Sequence, residues 1–266
     1  MPSIYEELRD SIRAERPVAL ATIISGPDGT PIGAKLLVRP GEPALGTLGH
    51  PELDRVVARD AEGELHSGLT STRHYGIHGE ARREEGVAIF MESFSPPPRM
   101  IIFGAVDFTA ALVRAAKLLG YRVVVCDARP VFATKARFPL ADEVVNDWPD
   151  RYLNAHGGDL GRRDAVCVLT HDPKFDVPAI TAAVTTNVGY LGAMGSRRTT
   201  DTRNVRLREA GISEDDLERV MGPIGIDIGA RTPEATAIAI VAEIIALRTG
   251  KAVASLRDVS GPIHRR

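Results

Sequence analysis

Cysteine is scarce in this chain: Cys126 and Cys167 are its two thiols, each set inside an apolar run. With no Cys-x-x-Cys pair, neither a disulfide scaffold nor a thiolate metal site is indicated, and both read as small core residues. Charge of one sign is lacking too. A formal net charge of −2 over 266 residues supplies no field to draw the protein to nucleic acid or to an anionic membrane. Lysine is confined to Lys35, Lys117, Lys135, Lys174 and Lys251, so most positive charge is arginine, which genome composition explains as readily as function. No apolar run is long enough to span a bilayer; the longest, "ATAIAIVAEIIAL", carries Glu243. The opening "MPSIYEELRD" is acidic and amphipathic, unlike a signal peptide, and a cytoplasmic protein is expected. Internal repeats and low-complexity tracts are missing as well.

What remains is average for a soluble protein, 44% hydrophobic and 26% charged, and long enough for one large or two smaller α/β units. Ser3 and Glu6 form a capping-box signature for a helix to about residue 15. "VALATIIS" and "AKLLVRP" read as strands, "PELDRVVARDA" has helical spacing, residues 61–85 look polar and irregular, and "VAIFMESF" is a strand. The proline run in "SPPPR" stops regular structure and marks a boundary, giving an α+β domain over 1–95 and a second domain over 96–266.

Past that boundary strands ("MIIFGA", "RVVVCDA", "DEVVN", "AVCVLTH", "VGYLGAMG") alternate with helices at about 108–119, 176–186, 197–210, 214–220 and 233–248. Such alternation means right-handed crossovers and a Rossmann-like, mostly parallel sheet with helices on both faces. Ligands of these sheets sit beyond the carboxyl ends of the strands, so the residues just after each strand are the candidates.

The first such turn is "GAVDFT". Gly104 is in place, but Val106 stands where a second glycine would admit a pyrophosphate, and Asp107 puts a carboxylate at the helix start. Asp107 is therefore expected to take the anion's place and cap its own helix. Against that, Asp127 follows the second strand 23 positions after Gly104, near the spacing of an acid that binds a ribose, and Arg129 could stack on a base. NAD(P) binding stays open on this ground; a plain polar strand exit is the alternative.

After the fourth strand, His171 and Asp172 of "THDPKFD" face the crevice, and His171 is the candidate acid or base. A simple turn is the alternative. Gly195, Ser196, Arg197 and Arg198 begin a helix, where amides and guanidinium groups suit a phosphate. Asp227 and Arg231, in the glycine-rich "GPIGIDIGARTPEA", point into the crevice or pair with each other. His50, His66, His74 and His78 lie in the first domain; His74 and His78 are four apart, but Gly76 disfavours a helix and no metal ligand set is formed.

"HDPKFD", "YLGAMGSRRT" and "PIGIDIGARTPEATAIAIVAEI", in that order after a Rossmann half, resemble the XdhC/CoxI family over about residues 98–248. The resemblance implies a cytoplasmic accessory protein of a molybdenum hydroxylase of the xanthine dehydrogenase or carbon monoxide dehydrogenase type, binding molybdenum cofactor and delivering it to that client. The first hairpin, with Gly33, Ala34 and Lys35, also matches. Where members carry Gly-Gly-Cys-x-Glu, however, this chain reads "LGHPELD"; "EEGVAIFMESF" lacks the later Cys-Gly-Gly; and "GAVD" replaces Gly-Ala-Gly-His. A sulfur-handling thiol is absent from its usual place, so a divergent member is expected. Its ligand is placed between the two domains against the carboxyl edge of the sheet, lined by His171, Asp172, Ser196, Arg197 and Arg231, with Asp127 on any nucleoside. An NAD(P)-dependent oxidoreductase and a non-catalytic interaction protein are the alternatives, and a homodimer is the commonest assembly.

Overall fold

The computed structural model describes residues 3–82 and 86–260, without the side chains of His66, Ser67 and Arg82. The chain divides into two compact units, Met1–Pro96 and Pro97–Arg266.

In the first unit, α1 (Ile4–Arg13) starts at the capping box: Ser3 Oγ accepts the Glu6 amide at 3.2 Å, and Glu6 Oε2 accepts the Ser3 amide at 2.8 Å. Then follow β1 (Val18–Ser25), β2 (Lys35–Val38), β3 (Leu45–Gly46), α2 (Pro51–Ser67), β4 (Ser71–Tyr75), β5 (Ala81–Arg82) and β6 (Val87–Phe94). They form an antiparallel sheet in the order β3-β2-β1-β6-β4-β5. Leu53, Val57, Ala61 and Leu65 of α2, each four residues on, pack on inward residues of β1, β2 and β6 such as Ala21, Leu36 and Ile89. The expectation of irregular structure over 61–85 therefore fails in part. Ala61 and Leu65 continue the helical stripe until Gly68 (φ 65°) ends it, while β4 is held by pairing with β6 and shows no alternation of its own.

The second unit runs β7 (Arg99–Phe103), α3 (Asp107–Leu118), β8 (Arg122–Cys126), β9 (Glu143–Val145), α4 (Pro149–His156), β10 (Ala165–Val168), α5 (Pro173–Val184), β11 (Tyr190–Ala193), α6 (Arg197–Glu209), α7 (Glu214–Glu218), β12 (Val220–Met221) and α8 (Pro233–Thr249). All pairings are parallel, in the order β12-β11-β10-β7-β8-β9, the arrangement of a Rossmann sheet. Residues alternate between two cores. Met100, Ile102, Val123 and Cys167 face α3 and α8, whereas Ile101, Phe103, Val124 and Val166 face α4, α5 and α6. The sequence pattern missed α4, whose buried Tyr152 and Leu153 are too few to show a period, and β12, which takes the end of the helix expected at 214–220. Helix α5 begins at Pro173 and not near 176, because Asp172 caps it and proline suits the first helical position. Strand order reverses between β7 and β10, the switch point beyond whose carboxyl ends sheets of this kind hold their ligands. Among the described residues no helix is long and apolar enough to cross a membrane.

Candidate functional site

The turn after β7 is closed from within. Gly104 takes φ 111°, and a side chain there would strike Thr170, 2.8 Å from its Cγ2 and 3.0 Å from its amide nitrogen. The next amide, Ala105 N–H, is turned back into the protein and donates to Asp127 Oδ2 at 2.7 Å. Asp127 is 4% exposed and accepts three further bonds from Arg129: from the amide and Nε at 2.9 Å on Oδ1, and from Nη2 at 2.8 Å on Oδ2. Burial pushes this carboxyl up, but the hydrogen bonds from Arg129 and Ala105 outweigh it and hold the group below its ordinary value. A ribose would have to displace that set. Arg129, expected to stack on a base, lies over the Phe132 ring at 4.7 Å.

The role expected of Asp107 is corrected by the same turn. It is the first residue of α3 with its side chain 92% exposed, and its contact is Arg137 Nη2 at 3.7 Å. The N-cap is Val106, which has no side-chain acceptor, so Asp107 does not cap the helix. Thr109 stabilises the turn by donating to the Gly104 carbonyl, and Arg137 donates to the Ala105 carbonyl at 2.9 Å.

A cavity of about 210 Å³ opens between the start of α5 and α6, lined by His171, Pro173, Asp176, Arg198, Thr199, Thr202, Arg203 and Arg206. It holds three guanidinium groups against one carboxylate, an anion-attracting balance. Its inner wall is a buried network. The Thr170 hydroxyl donates to Asp176 Oδ1; Asp176 Oδ2 stands 3.7 Å from Arg203 Nε; and Arg203 Nη2 donates to the Met194 carbonyl at 2.6 Å. Burial raises the Asp176 carboxyl above its ordinary value, opposed by the Thr170 hydroxyl and the Arg203 charge.

Of the sequence candidates, His171 lines this cavity. Asp172 is instead the cap of α5, accepting the Lys174 amide at 3.0 Å, and Ser196 is the cap of α6, accepting the Thr199 amide at 3.1 Å. Gly195 backs onto Arg203, where an added side chain would come within 2.8 Å of Nη2. Arg197 is exposed outside the lining, and its neighbour Arg198 takes the place expected of it. Asp227 accepts the Gly229 amide at 3.3 Å and, among the described residues, does not pair with Arg231; both are exposed. Their loop is tied down by Glu243, whose Oε2 accepts the Tyr190 hydroxyl at 2.6 Å and the Gly225 amide at 2.9 Å. Arg203, Arg206, Asp176 and Thr170 escaped sequence reasoning. The available signal was the spacing Arg198, Thr202, Arg206, with Thr199 and Arg203 beside it, which puts all five toward one side of a helix.

In the first unit, His50 stands in the stretch where family members carry Gly-Gly-Cys-x-Glu. Its Nδ1 accepts the Glu52 amide at 3.3 Å, capping α2, and its Nε2 lies 3.1 Å from His78 Nδ1. The side chain of His66 lies outside the described residues. Both thiols belong to the second unit and are buried. Burial holds Cys126 up to about 12 and Cys167 higher still, so neither offers a thiolate.

The XdhC Rossmann domain matches residues 100–244, and the XdhC and CoxI family model matches residues 11–76. The chain belongs to the XdhC/CoxI family. A protein of Bacillus subtilis (strain 168) described as a probable xanthine dehydrogenase subunit is 33% identical over 165 residues, 62% of this chain and 47% of that protein. The molybdenum cofactor insertion chaperone PaoD of Escherichia coli (strain K12) is 27% identical over 159 residues, 60% of this chain and 43% of that one. The uncharacterized protein YqeB of the same organism is 26% identical over 92% of this chain and 46% of its own. The chain thus spans somewhat less than half the length of these curated relatives. A solved structure of a xanthine dehydrogenase from Bacillus halodurans shares the fold with a TM-score of 0.53 and 23% identity, over 94% of this chain and 97% of the other.

Proposed function

We propose that this protein is a cytoplasmic maturation factor for a molybdenum hydroxylase, holding molybdenum cofactor and passing it to the client enzyme. The observation that carries this reading is the closed first turn. With the Ala105 amide on Asp127 and Asp127 engaged by Arg129, the acid that would take a ribose is already occupied, which supports a role other than hydride transfer. The PaoD relative, named a molybdenum cofactor insertion chaperone, supports the choice of cargo.

The cofactor's anionic end suits the α5–α6 cavity, where His171, Arg198 and Arg206 would hold it. When bound, the cofactor supplies the redox-active metal centre that the client uses. This chain's part is to bind, orient and shield it; no thiol with thiolate character is at hand to exchange sulfur.

Calorimetric titration of the full chain with molybdenum cofactor and, separately, with NAD(P)H tests the assignment. Saturable binding of the first and none of the second is expected. Val106→Gly with Asp107→His should leave NAD(P)H binding undetectable, because the Ala105 amide stays on Asp127 in that variant. Binding of NAD(P)H alone by the native chain would overturn the reading in favour of an oxidoreductase.

A further inference from the structure

The floor of the α5–α6 cavity carries a donor without an acceptor. Arg203 is 4% exposed, and Nη2 is fixed on the Met194 carbonyl, yet its buried Nε has no hydrogen-bond partner. The facing carboxylate oxygen, Asp176 Oδ2, is 3.7 Å away and out of hydrogen-bond range, while Oδ1 is engaged by Thr170. A buried, charged N–H left in this state is unfavourable in a folded protein and calls for an acceptor. Room for it is left by the turn before α6, where Gly195 takes φ 154° and an added side chain would come within 2.8 Å of Arg203 Nη2. Above Arg203, the exposed Arg198 and Arg206 bring two more guanidinium groups to the rim, with the Thr199 and Thr202 side chains between them.

We infer that this cavity is a receptor for a phosphate group, with Arg203 Nε donating from the floor and Arg198 and Arg206 closing on it from the rim. Three guanidinium groups against one carboxylate leave an excess of two positive charges, matching a dianion where a carboxylate would leave donors unserved. The volume of about 210 Å³ is below the roughly 300–1,000 Å³ that encloses a whole drug-sized ligand, so the phosphate is the anchor and its carrier extends outward. Only the identity of that carrier rests on the molybdenum cofactor reading.

The experiment is calorimetric titration of the full chain with inorganic phosphate and with glycerol phosphate, at ionic strength held constant with chloride. Both ligands should bind saturably. A preference for the ester points to an organic carrier and a preference for inorganic phosphate to the free ion. Arg198→Ser with Arg206→Ser should weaken binding by roughly tenfold or more, whereas Arg197→Ser, removing one positive charge just outside the lining, should change it by less than about twofold. Arg203→Lys keeps the charge but loses the Nε donor, and should weaken binding in protein whose Trp148 fluorescence shows the native fold. Absence of saturable phosphate binding, or equal losses in Arg197→Ser and the rim double variant, overturns the site. Phosphate binding without molybdenum cofactor binding would refute the proposed function and leave this site standing; the reverse would refute the site alone.

Discussion

Replacing Asp127 by Asn removes the charge that closes the first turn while keeping its shape. The carboxylate accepts four hydrogen bonds, at 2.7 Å from Ala105 and at 2.8–2.9 Å from Arg129. An amide offers one oxygen and turns an NH₂ group toward whichever donors face its other side. A buried donor left unsatisfied costs about 1–3 kcal/mol. Arg129 is 43% exposed, so water replaces much of its pairing, and loss of the ion pair adds about 1 kcal/mol or less. The expected destabilisation is therefore about 1–4 kcal/mol at neutral pH. Urea unfolding followed through Trp148, the single tryptophan, reports on the second unit where the change is made. The gap should also depend on pH in one direction. Because the folded carboxyl is held below its unfolded value, its contribution is complete above the unfolded pKa of about 3.9 and is lost as pH falls through the folded value. Wild type and variant should thus differ by a constant amount from pH 7 to about 5 and converge below about 4. A difference under about 0.5 kcal/mol at pH 7, or one that does not shrink in acid, would refute the account of the turn.

Gly104→Ala should cost the second unit about 2 kcal/mol or more, since it adds strain at φ 111° to a collision with Thr170; unchanged urea stability would show that the turn can relax. Glu243→Ala removes the acceptor shared by the Tyr190 hydroxyl and the Gly225 amide and should cost about 1–3 kcal/mol, with faster proteolytic cleavage in the loop over 222–231. Equal cleavage rates would dissociate Glu243 from that loop. Cys126 and Cys167 should resist a thiol-reactive disulfide reagent in the native protein and react fully in denaturant, and rapid native labelling would contradict their burial.

The differences between expected and observed site residues have one physical origin. Asp172 reads as a ligand group because polar residues after a parallel strand face the crevice, and Ser196 reads both as a ligand group and as the N-cap of its helix; the same residue types are the strongest helix caps. The open amides of α5 and α6 claim them, within two and three residues of each. Asp107 reads as a cap because it sits at a helix start; one position inside, its side chain points into solvent.

What the sequence determined by itself is what short-range spacing encodes. Ser3 with Glu6 started α1, and the alternation of strands and helices after "SPPPR" required a parallel, doubly covered sheet. The tertiary structure alone decided where the chemistry went. Asp127 reaches Ala105 across 22 positions because β7 and β8 lie in register, and Arg203 faces Asp176 because α6 packs against α5. Neither contact leaves a local pattern. Each depends on how two distant segments are brought to one edge of a sheet, so the sequence marked the turn at Gly104 as altered while the fold showed what had closed it.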